Sequence, residues 1–431
     1  MADDPARDAL RLLVRQAVQF IAEDERGLGY FAGATPLYDT RRDDAIRNLE
    51  SFEAAKEQVV TLPLFADRFG AAAGGRIALQ FVYQYLIGLD EAIFDLEQFV
   101  KTFASLSEEL EEPDWTFVHL ANVRQFESEE PLLDFGDGLT IRHRDFDELH
   151  AQLGWGNREL SQLEDDWAGF GASNYILYVE HKVPKGSENL VLGSGGEGYG
   201  LAARLLQALW IYKAGDVQIG KLFAERASKF VRLGGTQTVG EIPPDVFGTP
   251  YQLDASEIPN VRHIFDELAR LESTEAVPGN VFLALRRFSA IYSRALTQRE
   301  DRILDAITAL EALLGSKDEL TFKLSYRVAN ILAADNDERV DLFTSMKSFY
   351  RTRSRIVHGL ALKEADIQLI QDDAPLRSVV RRLLRGVLNL IGEDGFLLTS
   401  NYVDKELDII LLHEEQRGEL RNAMGLELET G

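Results

Sequence analysis

The first apolar stripe of the chain, Leu10, Leu13, Val14, Ala17 and Ile21, has the 3.6-residue spacing of an amphipathic helix and predicts one over residues 6–24. A second helical stretch is expected around Asp44–Gln58. Val59-Val60-Thr61-Leu62-Pro63-Leu64-Phe65 is short, apolar and β-branched, and predicts a strand. Arg76 to about Leu110 predicts helix, ending in the acidic run before Pro113. The texture then changes. Trp115–Phe126 predicts a strand, Leu132–Arg142 a hairpin turning at Gly136-Asp137-Gly138, and Asn174–Val183 the clearest strand of all, before a strong helix at Leu201–Tyr212. Five of the twelve prolines fall between 243 and 278, and this is where a connection between domains is expected. From Asn280 onward the stripes are helical: Phe282, Leu285, Phe288, Ile291 and Tyr292; then Ile303, Ile307, Leu310 and Leu314; then Leu324, Val328 and Leu332. Leu342–Val357 and Leu376–Ile391 add two more, and the short loops favour an antiparallel bundle. The expected fold class is therefore α+β: a mixed α/β region over 1–260, a connection over 261–279, and an all-α bundle over 280–431.

Composition narrows the chemistry. The 431 residues are enough for two or three domains, and the 45% hydrophobic content excludes global disorder. The absence of cysteine excludes disulfides, thiolate catalysis and Cys-ligated metal. The seven histidines are scattered without H-x-x-x-H or H-E-x-x-H spacing, so no metal site and no cofactor is expected; His119 and His181 read as half-exposed or satisfied core residues. The acidic runs read as solvated faces. The acidic N-terminus does not read as a secretory signal and no window has the roughly 20 apolar residues that span a bilayer, so the expectation is a cytoplasmic protein without membrane contact.

Gly193-Ser194-Gly195-Gly196-Glu197-Gly198 fits G-x-G-x-x-G by its letters, follows Leu190-Val191-Leu192, and has Asp216 eighteen residues beyond its last glycine. The apolar run before it is only three residues long, repeated βαβ units are missing, and no Walker lysine follows. It reads as a surface loop leading into a buried helix, with a nucleotide-dependent enzyme as the lesser alternative.

A different segment carries chemistry. In Tyr350-Arg351-Thr352-Arg353-Ser354-Arg355-Ile356-Val357-His358-Gly359, three arginines precede a histidine that a glycine follows at once. That glycine suits a C′ position, which places His358 in the last helical turn, where the partial negative charge of the helix end suits a cation. Arginine binds phosphate in bidentate fashion, and Arg with His, without metal, suffices for attack of an RNA 2′-hydroxyl on its own phosphate. Residues 353 and 358 lie about 140° apart on a regular helix, so Arg353 must reach round or a second chain must complete the site; Arg351, Arg355 and His358 share a face. The plainer reading is a basic helix end whose His358 caps its own carbonyls.

The R-x4-H spacing of Arg353 and His358 within a helical bundle resembles the signature of HEPN domains. More narrowly, YRTRSRIVHG with the upstream REDRILDAITALEALLG and ELTFKLSYRVANILA is similar to the Apea-like HEPN family over roughly residues 280–395. The resemblance implies an all-α bundle that dimerises and places two R-x4-H motifs at a shared cleft. It implies a metal-independent endoribonuclease of the toxin or antiphage abortive-infection type, with RNA (tRNA among the candidates) as substrate and a regulatory protein or phage trigger as a partner. His358 would be the general acid/base and Arg353 the phosphate binder. Ser354 occupies a position often Asn, Asp or His in the wider superfamily. Glu311 is the candidate for orienting Arg353 or His358, with a plain intra-bundle salt bridge as the alternative, and Tyr350, Arg351 and Arg355 are candidate substrate contacts. The alternative implied function is a non-catalytic HEPN module for dimerisation or RNA binding.

The net charge of −25 argues against a promiscuous nucleic-acid binder. It is unevenly spread: residues 341–385 hold nine Lys+Arg against five Asp+Glu, a local net of +4, so the rest totals −29. The expectation is a confined phosphate-binding cleft inside an acidic envelope.

Overall fold

The computed structural model describes residues 4–28, 40–143, 172–185, 197–226, 228, 230, 234–238, 248–273, 279–294, 298–315, 318–390 and 402–426. The chain forms two compact units: Met1–Val123, Gly136–Leu201 and Ile219–Val239 make the first, and Arg124–Phe135, Ala202–Gln218 and Gly240–Gly431 the second. The segments of the two units alternate along the chain.

In the first unit, α1 (Pro5–Glu23) starts where the sequence places it: Asp4 caps it by accepting the Ala6 and Arg7 N–H groups at 3.0 and 3.2 Å, and Pro5 occupies the first helical position. Its stripe is buried against α2 (Thr40–Arg47), α3 (Phe52–Val59), α4 (Gly74–Ile87) and α5 (Leu96–Glu111) in one apolar core. Two expectations are corrected here. The predicted strand 59–65 is the end of α3 followed by turns and a one-turn helix, Phe65–Phe69. Pro63 has no N–H for a ladder, Leu64 sits at φ 63°, and Leu62 and Phe65 reach the helical core instead. The single helix expected over 76–110 is two. Gly88 ends α4 where a side chain would collide with Gln98, and Asp95 restarts the chain by capping Glu97 and Gln98 N–H at 2.7 and 3.1 Å.

The strands of this unit are β1 (Asp114–Arg124), β2 (Leu139–His143), β3 (Ala172–Pro184), β4 (Lys221–Arg226) and β5 (Gly234–Thr238), in the order β2-β3-β1-β4-β5. Pairing is antiparallel where register is defined: Ile141 faces Leu177, Leu120 faces Phe223, and Phe223 faces Thr236. The expected turn is present, with positive φ at Gly136, Asp137 and Gly138. His119 on β1 is fully buried, its ring stacked 4.9 Å from that of His181, and neither of its ring nitrogens has a hydrogen-bond partner among the described residues. Burial, with the neighbouring His181 adding to it, lowers the His119 pKa to about 3. It is a core residue, and not a satisfied one.

α6 (Glu197–Tyr212) matches the predicted helix at 201–212. In the second unit the stretch expected as a connection is mostly α7 (Ile258–Ser273), with Val261, Ile264, Phe265, Leu268 and Leu271 on a buried face. Pro259 does not forbid it, because the first turn of a helix needs no N–H there. The rest is helical as predicted: α8 (Gly279–Ser293), α9 (Arg299–Leu314), α10 (Leu320–Leu332), α11 (Asn336–Val357), α12 (Glu364–Gln371), α13 (Ala374–Leu390) and, near the end, α14 (Glu414–Ala423). The fold is α+β overall with a helical C-terminal region. Trp210 of α6 stacks on Tyr292 of α8 at 4.5 Å and 6°, and Arg381 of α13 ties both by donating to Trp210 O at 2.8 Å and Tyr292 Oη at 2.9 Å. Arg327 of α10 has no exposure at all. It donates to both carboxylate oxygens of Asp408 at 2.7 and 2.9 Å, to Leu314 O at 2.6 Å and to Val403 O at 2.9 Å. Among the described residues no helix is long and apolar enough to cross a membrane.

Two outcomes follow. Asp408→Ala strands the Arg327 guanidinium and is expected to cost about 3–5 kcal/mol in a urea titration, more than Arg327→Met, which removes the buried charge itself. His119 stays neutral when folded but takes a proton when unfolded. Its contribution is therefore full above pH 6.5 and falls as the pH drops from 6.5 toward about 3. His119→Leu should flatten the pH dependence of stability between pH 7 and 4 by up to about 1.4 kcal/mol per pH unit, read from urea midpoints at each pH.

Candidate active site

The R-x4-H segment ends α11. Asp335 caps the other end of this 22-residue helix by accepting the Glu338 N–H at 2.8 Å, and Met346, Phe349 and Thr352 are its buried positions, three residues apart. At the C-terminus Gly359 adopts φ 60°, as its expected C′ role requires. The Gly359 N–H donates to Ile356 O at 3.1 Å, the Leu360 N–H to Arg355 O at 2.9 Å, and the His358 N–H to Ser354 O at 3.1 Å. This is a Schellman closure made entirely by backbone, so the plainer reading of His358 as a side-chain cap is not needed. The His358 side chain is exposed beside it.

Arg353, Tyr350 and Glu311 come together. Arg353 Nη2 lies 3.6 Å from Glu311 Oε2, and its guanidinium carbon is 5.7 Å from the centre of the Tyr350 ring. Burial and the adjacent Glu311 carboxylate both raise the pKa of the Tyr350 hydroxyl. Glu311 is held by α9 and is mostly buried. Its Oε1 and the Nε of Arg353 are buried atoms without a hydrogen-bond partner among the described residues. The pair is therefore loose, and both charges keep unused hydrogen-bonding capacity.

The other predicted residues part from this group. Arg355 turns to Asp366: its Nε is 3.5 Å from Asp366 Oδ2, and its Nη1 donates to Ala361 O at 2.9 Å. It ties the loop after the motif to α11. Arg351 is exposed and donates to Ser348 Oγ at 3.4 Å. Ser354 is half-buried, and its carbonyl serves the helix end. Among the described residues no contact links His358 to Arg353 or Glu311, so Arg353 does not reach round the helix to it.

Sequence reasoning missed Asp366 and Thr352. Thr352 is fully buried and donates from Oγ1 to Asp366 Oδ1 at 2.7 Å, while the Lys363 N–H donates to Asp366 Oδ2 at 2.8 Å. Burial works to raise the Asp366 pKa, but the Lys363 N–H, the Thr352 hydroxyl and the Arg355 and Arg351 charges outweigh it, and the result is lowered. The signal available was an aspartate opening a short helix just after the motif, which nothing local distinguishes from an ordinary first-turn acid.

The basic surplus of 341–385 also changes meaning. Of its nine cations, four lie on α13 and face inward: Arg377 meets Asp216 and Asp373, Arg381 meets Trp210 and Tyr292, Arg382 meets Glu338 and Leu332 O, and Arg385 donates to Tyr212 O. The local net of +4 is largely interior bonding and does not form one phosphate-facing surface.

Gly193–Gly196 lie outside the described residues. Gly198 packs on His119, where a Cβ would come within 2.3 Å of Nε2, and Asp216, the expected ribose acid, is bound by Arg377 and by the Thr249 N–H. Each has a packing reason independent of a nucleotide. No group of three His, Asp or Glu residues suited to a metal occurs among the described residues. His143 is exposed, His263 Nε2 lies 3.3 Å from Asn389 Oδ1, and His150 lies outside the described residues. Comparison with protein-family models, curated proteins and solved structures finds no match.

Thr352→Val keeps the shape of the side chain but removes a donor to a buried carboxylate. It is expected to cost about 1–3 kcal/mol at pH 7 by chemical denaturation. A lowered carboxylate contributes stability above its unfolded pKa of 3.8 and loses it as pH falls through its folded value, so the difference from wild type should shrink below pH 4.

Proposed function

We propose that the C-terminal helical region is a HEPN-type, metal-independent endoribonuclease acting on RNA, tRNA among its candidate substrates. The observation that carries this reading is the end of α11. An exposed His358 follows a backbone-closed helix terminus, five residues after an Arg353 that Glu311 and Tyr350 hold with donors unspent. His358 takes the proton of a 2′-hydroxyl, O2′ attacks the adjacent phosphorus, and the P–O5′ bond breaks as O5′ takes up the proton that the His358 imidazolium gives back. The products are a 2′,3′-cyclic phosphate and a 5′-hydroxyl. Arg353 neutralises the charge that builds on the non-bridging oxygens. Because Arg353 and His358 of one chain are not in contact, the complete site is a cleft shared by two copies, each supplying one member of a pair. A regulatory protein or phage component as trigger remains part of the proposal.

One observation favours a second reading, a non-catalytic RNA-binding or dimerisation module: Arg353 already has a carboxylate partner in Glu311. A cleavage assay in EDTA separates the two. Wild-type protein is expected to leave cyclic-phosphate ends, and His358→Ala and Arg353→Ala to lower the rate at least about 100-fold. Equal cleavage by all three proteins overturns the catalytic assignment, and RNA retention without cleavage by wild type selects the second reading.

A further inference from the structure

The second unit contains a polar cleft of about 290 Å³ that the R-x4-H chemistry does not use. It opens where the end of α8, the start of α9 and the α12–α13 junction meet the segments around Asp216 and Thr249, and it is lined by Arg294, Arg299, Arg302 and Arg377 together with Asp216, Asp372 and Asp373.

The charges divide unevenly. Arg377 is satisfied: its Nη1 is 2.6 Å from Asp216 Oδ1 and its Nε 3.1 Å from Asp373 Oδ1. The second oxygen of Asp216 takes the Thr249 N–H at 2.9 Å. Arg302 is not satisfied. It is nine-tenths buried, and the same Asp373 is its carboxylate, at 2.8 Å from Nε. The angle there is not that of a hydrogen bond, so Arg302 Nε and Asp373 Oδ2 are both buried without a hydrogen-bond partner among the described residues. One carboxylate thus serves two guanidiniums. Burial lowers the Arg302 pKa, and Asp373 only partly offsets it. Arg299 stands one turn before Arg302 on the same face of α9 and spends one nitrogen on Gln371 O at 2.7 Å. Arg294, half-exposed, spends its Nε on Asp305 at 3.0 Å. Three cations therefore face the cleft with donors to spare, the arrangement that suits a phosphate dianion.

The rest of the wall limits what the phosphate can be attached to. Asp372 is exposed at the rim and accepts from hydroxyl groups. The Tyr292 ring offers no free face to a base: Trp210 stacks on it at 4.5 Å, and the Arg377 guanidinium lies 5.6 Å from its centre. The volume stands at the low end of small-molecule sites, which run from roughly 300 to 1,000 Å³.

We propose that this cleft binds a small phosphomonoester rich in hydroxyl groups, of sugar-phosphate size, with Arg302, Arg299 and Arg294 on the phosphate and Asp372 on the hydroxyls. The assignment is independent of the ribonuclease reading and survives or fails separately from it.

Calorimetric titration of the full chain with ribose 5-phosphate tests it, against ribose, inorganic phosphate and adenosine monophosphate as probes. Ribose 5-phosphate is expected to bind at least tenfold more tightly than inorganic phosphate, and ribose not at all. Arg302→Gln and Arg299→Gln should each weaken it at least tenfold, whereas Arg353→Ala and His358→Ala leave it unchanged. Arg299 is only half-buried, so its variant keeps the test valid if Arg302→Gln fails to fold. No binding of any phosphate compound, or binding unchanged in Arg299→Gln, overturns the site. Equal affinity for inorganic phosphate, or tighter binding of the nucleotide, overturns the ligand class.

Discussion

A guanidinium with no access to water must be surrounded by acceptors, and the helical unit is assembled around one. Arg327 gathers the carboxylate of Asp408, the carbonyl of Leu314 and the carbonyl of Val403, so that α10, the end of α9 and a segment about eighty residues further on share a single buried cation. Leaving any of these acceptors away from the charge is costly, because the desolvation of an unpaired ion exceeds what packing returns. The constraint reaches the candidate site. Leu314 is one turn beyond Glu311, and pinning the end of α9 sets where the Glu311 carboxylate meets Arg353. Gly315 closes that turn, at a position where a Cβ would crowd the Glu311 carbonyl to 2.3 Å.

α12 joins the two polar regions of this unit. Its first turn carries Asp366, which holds Thr352 and Arg355 of the motif helix, and its last residue, Gln371, accepts from Arg299 at the arginine-rich cleft. This eight-residue helix is thus anchored by side-chain hydrogen bonds at both ends.

Acidity and arginine content take on separate roles in this arrangement. Buried arginines hold helix to helix through carbonyls and carboxylates, which a flexible lysine ammonium does with less directional control. Local charge counting therefore overstates the phosphate-facing surface: the α13 arginines that raise the count along the sequence point into the structure.

Much was legible in the pattern of apolar positions. The stripes of α1, α6 and α8 to α11, the strands β1 and β3, the turn at 136–138 and the C′ glycine at 359 follow from local periodicity and backbone preference, which act over a few residues. What failed locally failed for tertiary reasons. The β-branched 59–65 run is turned into helix end and loop by the core that takes up Leu62 and Phe65, and proline density around 243–278 masked the buried face of α7. The sequence by itself determined the α+β class, the helical C-terminal region and the R-x4-H spacing on one helix. Only the tertiary structure decided that Glu311 and Tyr350 meet Arg353, that Arg355 belongs to Asp366, and that an aspartate shared by two arginines leaves a cleft short of negative charge. Those outcomes depend on contacts between residues up to about 70 positions apart in the chain, whose energies come from burial and pairing that no local pattern records.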